Sequence, residues 1–428
     1  MSRPLAGVTV LELGQVIAGT YVGTILADMG AEVIKVEPLR GDTSRNPSIA
    51  PLRGQSTIHL FANRGKKSIA LDLKAPRGRE LFLQLVATAD AVVDNFRPGV
   101  MARLGIDHAV LEQVNPKIVS TSVTGFGEDG PARDRPAFDL VVQAYTGHLS
   151  ITGEPDRPPS RVGTPLADLA GSLFACIAVL GGLVGRGLHG EGLHSDVGML
   201  DSLVSLLAYD AVHQLNTGEE PTRQGTAHAH LVPWQAFAVQ DGYVVIAARD
   251  EKFWQRICDM IGRPDLKTDP RTRDNQARVA NREFVVHTLE EWLSARQRDE
   301  VMRALEDYDV PSAPVNAVSE VFADPQVRAR GLVQSYQHPV IGEVKYTATP
   351  LLRAPEPRPH SYAPLLGEHT QQVLVERLGM APSEVKALAV DGVIGVIDVI
   401  GVPAGAASGT ASGTAAGGGS AAGGERDA

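Results

Sequence analysis

The sequence predicts an α/β fold in which a parallel sheet covered by helices is followed by a smaller α+β domain. Three observations predict it. The first 125 residues alternate between strand-like and helix-like patterns. A hairpin pattern and a series of helical patterns follow residue 225. The chain has 428 residues, too many for one small core, so two or three domains are expected.

Strands and helices take turns in the N-terminal region. Helical patterns cover 20–30 and 76–90, and Pro76 stands near the start of the second. The strand-like runs are VTVLEL (8–13), AEVIKVE (31–37), SIALDL (68–73), AVVDNF (91–96) and KIVSTSV (117–123). Such alternation predicts parallel strands joined by helices, and ligands then collect at the carboxyl ends of the strands.

The middle of the chain changes character. Residues from 164 to about 215 are helical and rich in small side chains, with a turn expected at 186–194. A hairpin with an Asp241-Gly242 turn is predicted over 232–248. The helical patterns that follow it are 251–262, 281–295 and 298–308. These features predict a small α+β domain.

Short strands resume after 333, and a helix is expected at 369–380. We expect a large domain with its N-terminal part at 1–200, a linker at 201–224, a small domain at 225–325 and a return to the large domain at 326–392. Residues 401–428 are a Gly/Ala/Ser/Thr segment, which predicts disorder. This segment is either a tail without function or a linker to a partner.

Composition narrows the class of protein. The formal charge of −10 argues against a nucleic-acid or membrane-surface binder, so an anionic ligand needs local basic groups. The two cysteines, Cys176 and Cys258, lie in apolar helical patterns, which indicates no disulfide framework and fits a reducing cytoplasm. The N-terminus shows no signal-peptide pattern, and Leu169 to Val184 has the length of a buried helix.

Two motifs point weakly to ligands. Gly125, Gly127 and Gly130 have the spacing of a dinucleotide fingerprint, but Pro131 and Pro136 follow where that fingerprint needs a helix. A glycine-rich loop is therefore favoured over NAD binding. The segments HGEGLHSD (189–196) and HAH (228–230) hold possible metal ligands without a second cluster, so no metal site is predicted.

A basic cluster stands out in this acidic chain. Arg64, Lys66, Lys67 and Lys74 flank the third predicted strand, and Arg103 follows the fourth. Charge runs of this kind are commonly a solvated surface. The alternative is a phosphate site for a polyanionic ligand, since an acidic protein needs local cations to bind one.

Asp168 is a single carboxylate in the apolar stretch 161–185. It has the residue type of a helix N-cap and stands directly before an apolar helix. A carboxylate at a helix N-terminus is also held ionised, and in apolar surroundings it is a good nucleophile. The cap and the nucleophile are compatible interpretations.

The chain resembles the family III CoA-transferases, a group that includes formyl-CoA, carnitine and dicarboxylate CoA-transferases and the α-methylacyl-CoA racemases. The likeness runs from about residue 4 to 392. Its markers are PLAGVTVLELGQVIAGTYVGTILADMGAEVIKVEP (4–38), GD (41–42), NRGKKSIALDLK (63–74), DNFRPGVMARLG (94–105), TGFGEDGP (124–131), ADLAGS (167–172), GTAHAHLVPWQAFAVQDGY (225–243) and PLLGEHT (364–370).

The resemblance implies a Rossmann-like large domain, a small domain and two interlocked chains in a homodimer. It makes Asp168 the nucleophile that attacks an acyl-CoA thioester, giving an aspartyl anhydride and then an aspartyl-CoA thioester. Coenzyme A enters as substrate, and no permanently bound cofactor is expected. The CoA contacts that it implies are Gln15, Val16, Ala18, Leu71, Lys74, Asn95, Phe96 and Arg103.

The chain departs from the family at several positions. Pro38 and Pro136 stand where some members carry a basic CoA contact, and Arg40 is a substitute for the first. Phe138 stands where the racemases have a histidine that works as acid and base, and phenylalanine cannot do so. A racemase or isomerase is therefore the alternative function, behind CoA transfer. A nicotinamide oxidoreductase and a CoA-binding scaffold without catalysis are more distant alternatives.

A substrate loop replaces the glycine-run loop of the formyl-CoA type. It covers 225–230, with Gly225, Thr226, His228 and His230, and is expected to cover the anhydride and to shape the choice of acceptor. The pattern around it is most similar to the branch that moves CoA between dicarboxylates, such as succinyl-CoA and glutarate. The second carboxylate of such an acceptor needs a cation or amide, for which His228, His230 and Arg161 are candidates.

Overall fold

The computed structural model describes residues 3–351 and 362–397. Within these ranges the strands, in chain order, are β1 Thr9–Glu12, β2 Glu32–Glu37, β3 Pro51–Leu52, β4 Gln55–Ser56, β5 Lys67–Leu71, β6 Ala91–Asp94, β7 Val119–Thr124, β8 Leu193–Gly198, β9 Trp234–Val239, β10 Gly242–Ala247, β11 Ser312–Pro314, β12 Val333–His338, β13 Gly342–Thr347 and β14 Ile394–Gly395.

The α-helices of the same ranges are α1 Thr20–Met29, α2 Thr57–Ala62, α3 Pro76–Val86, α4 Val100–Leu104, α5 His108–Val114, α6 Asp139–Tyr145, α7 His148–Ile151, α8 Leu166–His189, α9 Met199–Leu206, α10 Ala208–Thr217, α11 Glu251–Met260, α12 Asn275–Ala280, α13 Arg282–Leu293, α14 Arg298–Asp307, α15 Val318–Ala323, α16 Pro325–Ala329, α17 Thr370–Leu378 and α18 Pro382–Val390.

A seven-stranded sheet forms the centre of the molecule, in the order β14-β5-β2-β1-β6-β7-β8. Its strands are parallel except for β14, which pairs antiparallel with β5. The five strands predicted from the N-terminal alternation are all present in it. The carboxyl ends of β1, β5, β6 and β7 therefore lie at one edge of the sheet, where a parallel sheet offers a cleft.

Helices cover both faces of this sheet. On one face, Val10, Val93 and Val123 pack against apolar side chains of α1 and α8. On the other, Leu11 and Val92 pack against α3, α17 and α18. Successive side chains of a strand point to opposite faces of the sheet, and both faces are covered. Each strand therefore contributes to both cores, which explains why these strands are apolar almost throughout.

Helix α8 is longer than the buried helix expected from 169–184. Its inner face packs on β7, β8, α1 and α9, and its small residues allow close approach. A Cβ atom at Gly182 would lie 2.6 Å from Val119 Cγ1. By length and composition alone, α8 among the described helices qualifies as a membrane span. One of its faces is nevertheless buried in the fold, as in the core helix of a globular protein.

A separate apolar core lies within 232–310. Strands β9, β10 and β11 form an antiparallel sheet, and α11, α13 and α14 pack around it. The β9–β10 hairpin is present as predicted, but its turn lies at Gln240 and Asp241, one residue before the expected Asp241-Gly242, because Gly242 already pairs with Val239. Cys258 of α11 and Cys176 of α8 are both buried free thiols.

The structure differs from three expectations in detail. The turn predicted at 186–194 is shorter and lies at 190–192, because α8 continues to His189 and β8 then begins at Leu193 as an edge strand of the main sheet. The stretch expected to be a linker, 201–224, contains most of α9 and all of α10. Strand β14 and helix α18 follow the predicted C-terminal helix. The predicted disordered tail at 401–428 lies outside the described residues.

Candidate active site

Two cavities open at the carboxyl edge of the sheet. The first, here the outer cavity, has a volume of about 580 Å³ and is lined by the ends of β1, β2 and β5. The second, here the Asp168 cavity, has about 420 Å³ and contains Asp168. Gln15, Phe96 and Val100 line both, so the two cavities are neighbours. Together they can hold one long ligand with its reacting end at Asp168.

Most residues expected to contact CoA line these cavities. Lining the outer cavity are Gln15, Leu71, Lys74 and Phe96, and lining the Asp168 cavity are Gln15, Val16, Ala18, Asn95 and Phe96. Arg40 and Pro38 both line the outer cavity, and the role of Arg40 as a substitute cation stays a prediction. Arg103 lines neither cavity, although Val100 and Leu104 of its helix α4 do.

Asp168 is the third residue of α8 and not its N-cap. The N-cap is Pro165, and no side chain caps the helix from there. The Asp168 side chain is half-buried and has no hydrogen-bond partner within the described residues. Burial, followed by the negative charge of Asp139, raises the pKa of Asp168 to about 7. This shift is opposite in direction to the expectation that the helix end holds the carboxylate ionised.

Asp139 takes over the capping role from another helix. Its Oδ1 accepts the Ala167 N–H at 2.7 Å, and its Oδ2 accepts from Gln143 Nε2 at 2.7 Å. The buried Gln143 in turn accepts the Val162 N–H at 3.1 Å. Two side chains of α6 thus fix the chain that leads into α8 and hold Asp168 in place. No local pattern in the sequence singles out Asp139, because its partner Ala167 is 28 residues away.

The loop between β1 and α1 forms one wall of the Asp168 cavity. Ser172 Oγ lies 2.7 Å from the carbonyl oxygens of both Ala18 and Asp168. Val16 in this loop has a φ of 61°, an unusual conformation for a β-branched residue. The first turn of α8 and the β1–α1 loop are therefore held against each other by one hydroxyl.

The basic cluster is mainly structural. Lys66 is fully buried, bonds Glu12 and donates to the carbonyl oxygens of Thr20 and Ala62. Burial lowers the pKa of Lys66 to about 8, against the attraction of Glu12. Arg64 pairs with Asp28, and Lys67 lies 2.7 Å from Glu32. Of the cluster around β5, Lys74 alone lines one of these two cavities, so the phosphate-site interpretation stays a prediction for Lys74 and is not supported for its neighbours.

Three arginines that the sequence argument did not single out line the Asp168 cavity: Arg97, Arg133 and Arg135. The Arg135 guanidinium lies 5.8 Å from the Phe126 ring and 5.3 Å from the Tyr145 ring. No carboxylate of the described residues forms a salt bridge with Arg135. Cation–π contacts with two rings help to hold this cation in place and leave its N–H groups available to an anion.

The substrate loop does not line the Asp168 cavity in the single chain. Gly225 N–H bonds Gly153 O, and Thr226 Oγ1 accepts from Ala236 N–H. His228 is held through its carbonyl by Arg282, and His230 through its carbonyl by Asn275. Burial and the nearby His230 lower the pKa of His228, which disfavours the charged form that a carboxylate would need. Arg161 lines neither cavity.

The motifs weighed for NAD and zinc have other contacts. After β7 the next helix begins only at Asp139, and the Gly127 N–H bonds Thr124 Oγ1. His194 lies on β8, where it contacts Ser120 and Glu128 at 2.9 Å each. Within residues 3–351 and 362–397, no group of three or more His, Cys, Asp and Glu side chains is arranged to hold a metal.

Known proteins resemble this chain over most of its length. Residues 5–370 match the family described as CoA-transferase family III. Succinate–glutarate CoA-transferase of Agrobacterium fabrum is 38% identical over 385 residues, covering 87% of this chain and 95% of that protein. Succinyl-CoA:mesaconate CoA-transferase of Haloarcula hispanica is 37% identical, covering 86% and 94%. The crystal structure of a CAIB/BAIF family protein from Brucella suis superposes with a TM-score of 0.78 at 36% identity, covering 88% of this chain and 100% of that one.

Proposed function

The chain belongs to CoA-transferase family III, and we propose that it moves CoA from succinyl-CoA to a dicarboxylate acceptor. The observation that carries the proposal is a carboxylate, Asp168, in a cavity that adjoins a second cavity with the cations Arg40 and Lys74. A CoA thioester has this layout, with phosphates at one end and a reactive carbonyl at the other. The relatives that act on glutarate and mesaconate support a dicarboxylate as acceptor.

The transfer runs in four exchanges at Asp168. An Asp168 oxygen attacks the thioester carbonyl, the C–S bond breaks, and an aspartyl anhydride and the CoA thiolate form. The thiolate attacks the Asp168 carbonyl, which releases the donor acid and leaves an aspartyl-CoA thioester. The acceptor carboxylate attacks that thioester and gives a second anhydride and the thiolate. The thiolate then attacks the acceptor's acyl carbonyl, which forms the new acyl-CoA and frees Asp168.

The protonation state of Asp168 limits the first step. Only the carboxylate is a nucleophile, and a pKa of about 7 leaves roughly half of the free enzyme protonated at neutral pH. Burial also removes water from the carboxylate, which makes its ionised form more reactive. We therefore expect the rate to rise with pH through about 7, in the direction set by deprotonation of Asp168.

A homodimer is part of the proposal. The outer face of α8 carries the exposed apolar side chains Leu173, Phe174, Ile177, Val184 and Leu188, which run along the whole helix. Helix α10 also has exposed apolar residues, Tyr209, Val212 and Leu215. A patch of this extent marks an interface, and we propose that a second copy of the chain covers it.

The remaining assignments stay proposals. Residues 225–325 form the small domain, whose separate core at 232–310 supports that division. A cytoplasmic location and the absence of a permanently bound cofactor, membrane contact or nucleic-acid partner are still predictions. Phe138 lines the Asp168 cavity and offers no proton, which supports CoA transfer over racemisation.

The test is transfer by the purified protein. Succinyl-CoA is incubated with a panel of carboxylic acids, new thioesters are followed by mass spectrometry, and hydroxylamine traps the activated Asp168. Asp168→Asn should lose transfer at least 1000-fold. Asp299→Asn, which removes an exposed carboxylate from the first turn of α14, should keep it. Wild-type protein that yields neither a new thioester nor a trapped adduct with any acid would overturn the proposal.

A further inference from the structure

We propose that Asn95 and Asp42 are positioning residues of the transfer reaction, because they hold Gln15 and Val16 in the conformation that lines the Asp168 cavity. This inference rests on the proposed function, since it assigns a role in acyl transfer at Asp168. The resemblance implies that Asn95 contacts CoA. The structure indicates a different use for its carboxamide.

Both polar groups of the Asn95 side chain are occupied by the main chain of Gln15. Asn95 Oδ1 accepts the Gln15 N–H at 2.8 Å, and Asn95 Nδ2 donates to Gln15 O at 2.8 Å. Gly19 is close by, and a Cβ atom added there would lie 2.9 Å from Asn95 Cβ. Asn95 therefore joins the end of β6 to the β1–α1 loop, and a larger residue at 19 would push them apart.

Val16 is held by a second contact. Its N–H donates to Asp42 Oδ1 at 3.2 Å, and its carbonyl accepts from Thr20 Oγ1 at 2.7 Å. Asp42 itself is buried and forms an ion pair with the fully buried Lys35 at 3.1 Å. Lys35 also donates to Gly14 O at 2.6 Å. Two sets of contacts thus hold the loop: the buried ion pair of Asp42 and Lys35, and the carboxamide of Asn95.

The held conformation is one that the loop would otherwise leave. A β-branched residue at a φ of 61° costs about 1–3 kcal/mol relative to an extended one, so it persists only where other contacts impose it. Without them, Val16 would relax to negative φ and shift the loop. That shift would reach Asp168, because Ser172 Oγ contacts the carbonyl oxygens of both Ala18 and Asp168. A displacement of about 1 Å at a reacting centre can cost 100-fold in rate.

The chain offers a matched control in Asn115. Its carboxamide also clamps main-chain groups: Nδ2 donates to Val86 O and Ala89 O, and Oδ1 accepts the Lys117 N–H. Asn115 lines neither cavity. Asn95→Ala and Asn115→Ala therefore remove comparable hydrogen bonds at different places. Both should lower the melting temperature by a few degrees, measured by circular dichroism on the full-length protein.

The kinetic results separate the two variants. We expect Asn95→Ala to lower kcat for transfer from succinyl-CoA to glutarate at least tenfold, with the KM of succinyl-CoA within threefold of wild type. Asn115→Ala should keep kcat within twofold. A kcat for Asn95→Ala within twofold of Asn115→Ala would overturn the inference. If neither wild type nor Asn115→Ala transfers CoA, the failure belongs to the proposed function instead.

A second substitution tests whether Asn95 acts through the loop. Glycine adopts a φ of 61° without strain, so Val16→Gly in the Asn95→Ala background should restore kcat at least threefold. No recovery would mean that Asn95 acts by direct contact with substrate, which would overturn the positioning role. Asp42→Asn keeps an oxygen that can accept the Val16 N–H. Because Asp42 and Asn95 act on the same loop, the loss of kcat in the double variant, expressed as a free energy, should be smaller than the sum of the losses in Asp42→Asn and Asn95→Ala. Full additivity would count against the shared role of Asp42.

Discussion

Replacing Asp139 by asparagine removes a negative charge that acts directly on Asp168. The pKa of Asp168 is about 7, raised first by burial and then by this charge. Asparagine keeps an oxygen for the Ala167 N–H, so the start of α8 stays capped. The pair with Gln143 Nε2 loses its acceptor, at a cost of about 1 kcal/mol in stability.

The expected change is a lower pKa for Asp168. Like charges in a partly buried site typically interact by about one pKa unit or more, or about 1.4 kcal/mol. With a pKa of about 7, roughly one tenth of wild-type Asp168 is ionised at pH 6, and a downward shift of one unit raises that to about half. The ratio of Asp139→Asn to wild-type activity should therefore be about fivefold higher at pH 6 than at pH 8.

The assay is a pH–rate profile of kcat/KM for succinyl-CoA between pH 5 and 9. The acidic midpoint of the variant should lie below that of wild type, whatever the change in absolute rate from looser positioning. Asp129→Asn removes an exposed carboxylate from the 125–138 loop and should leave the midpoint unchanged. An unchanged or raised midpoint in Asp139→Asn would refute the electrostatic link between the two carboxylates.

Three further outcomes are expected. Because the pKa of Asp168 is raised in the folded state, the protein loses stability as pH rises from about 4 to about 7. Asp168→Asn should therefore raise the free energy of unfolding by about 2 kcal/mol at pH 8, a value discounted for partial exposure, and by little at pH 4, as measured by urea unfolding. A destabilised variant at pH 8 would contradict this. Ile177 is 63% exposed in the single chain, and Ile177→Glu should give a monomer in light scattering where wild type is a dimer. A variant that stays dimeric would exclude this face of α8 as the dimer interface. Arg135→Gln should lower kcat/KM about tenfold. A loss of activity with succinate but not with butyrate as the acid assigns Arg135 to the free carboxylate, and a loss with both acids assigns it to the CoA phosphates. No loss with either acid removes Arg135 from the site.

The sequence predicted the fold where local pattern decides the structure. The five N-terminal strands are apolar runs with helices between them, and the Asp-Gly pair marks the hairpin to within one residue of its turn. It missed β8, because LHSDVG is polar and resembles a turn. The polar residues of β8 are satisfied by β7 and by the loop after it, where His194 contacts Ser120 and Asp196 accepts the Glu128 N–H. An edge strand with such partners leaves no apolar signal.

Long-range partners explain the other failures. Asp168 has the residue type of an N-cap and precedes an apolar run, but Asp139 supplies the cap from 28 residues away. Lys66 belongs to a basic run, yet its partner Glu12 is 54 residues away and both are fully buried. The resemblance located most cavity residues because family motifs carry three-dimensional information. It said nothing of Arg133 and Arg135, which lie outside those motifs.

Helix α8 begins with the proposed nucleophile and carries the uncovered apolar side along its remaining turns. If two copies of the chain associate through that face, dilution would separate them and destabilise the helix that carries Asp168. Specific activity would then fall at nanomolar enzyme concentrations and recover when the enzyme is concentrated. Self-association would in that case set the active fraction of the enzyme in a cell.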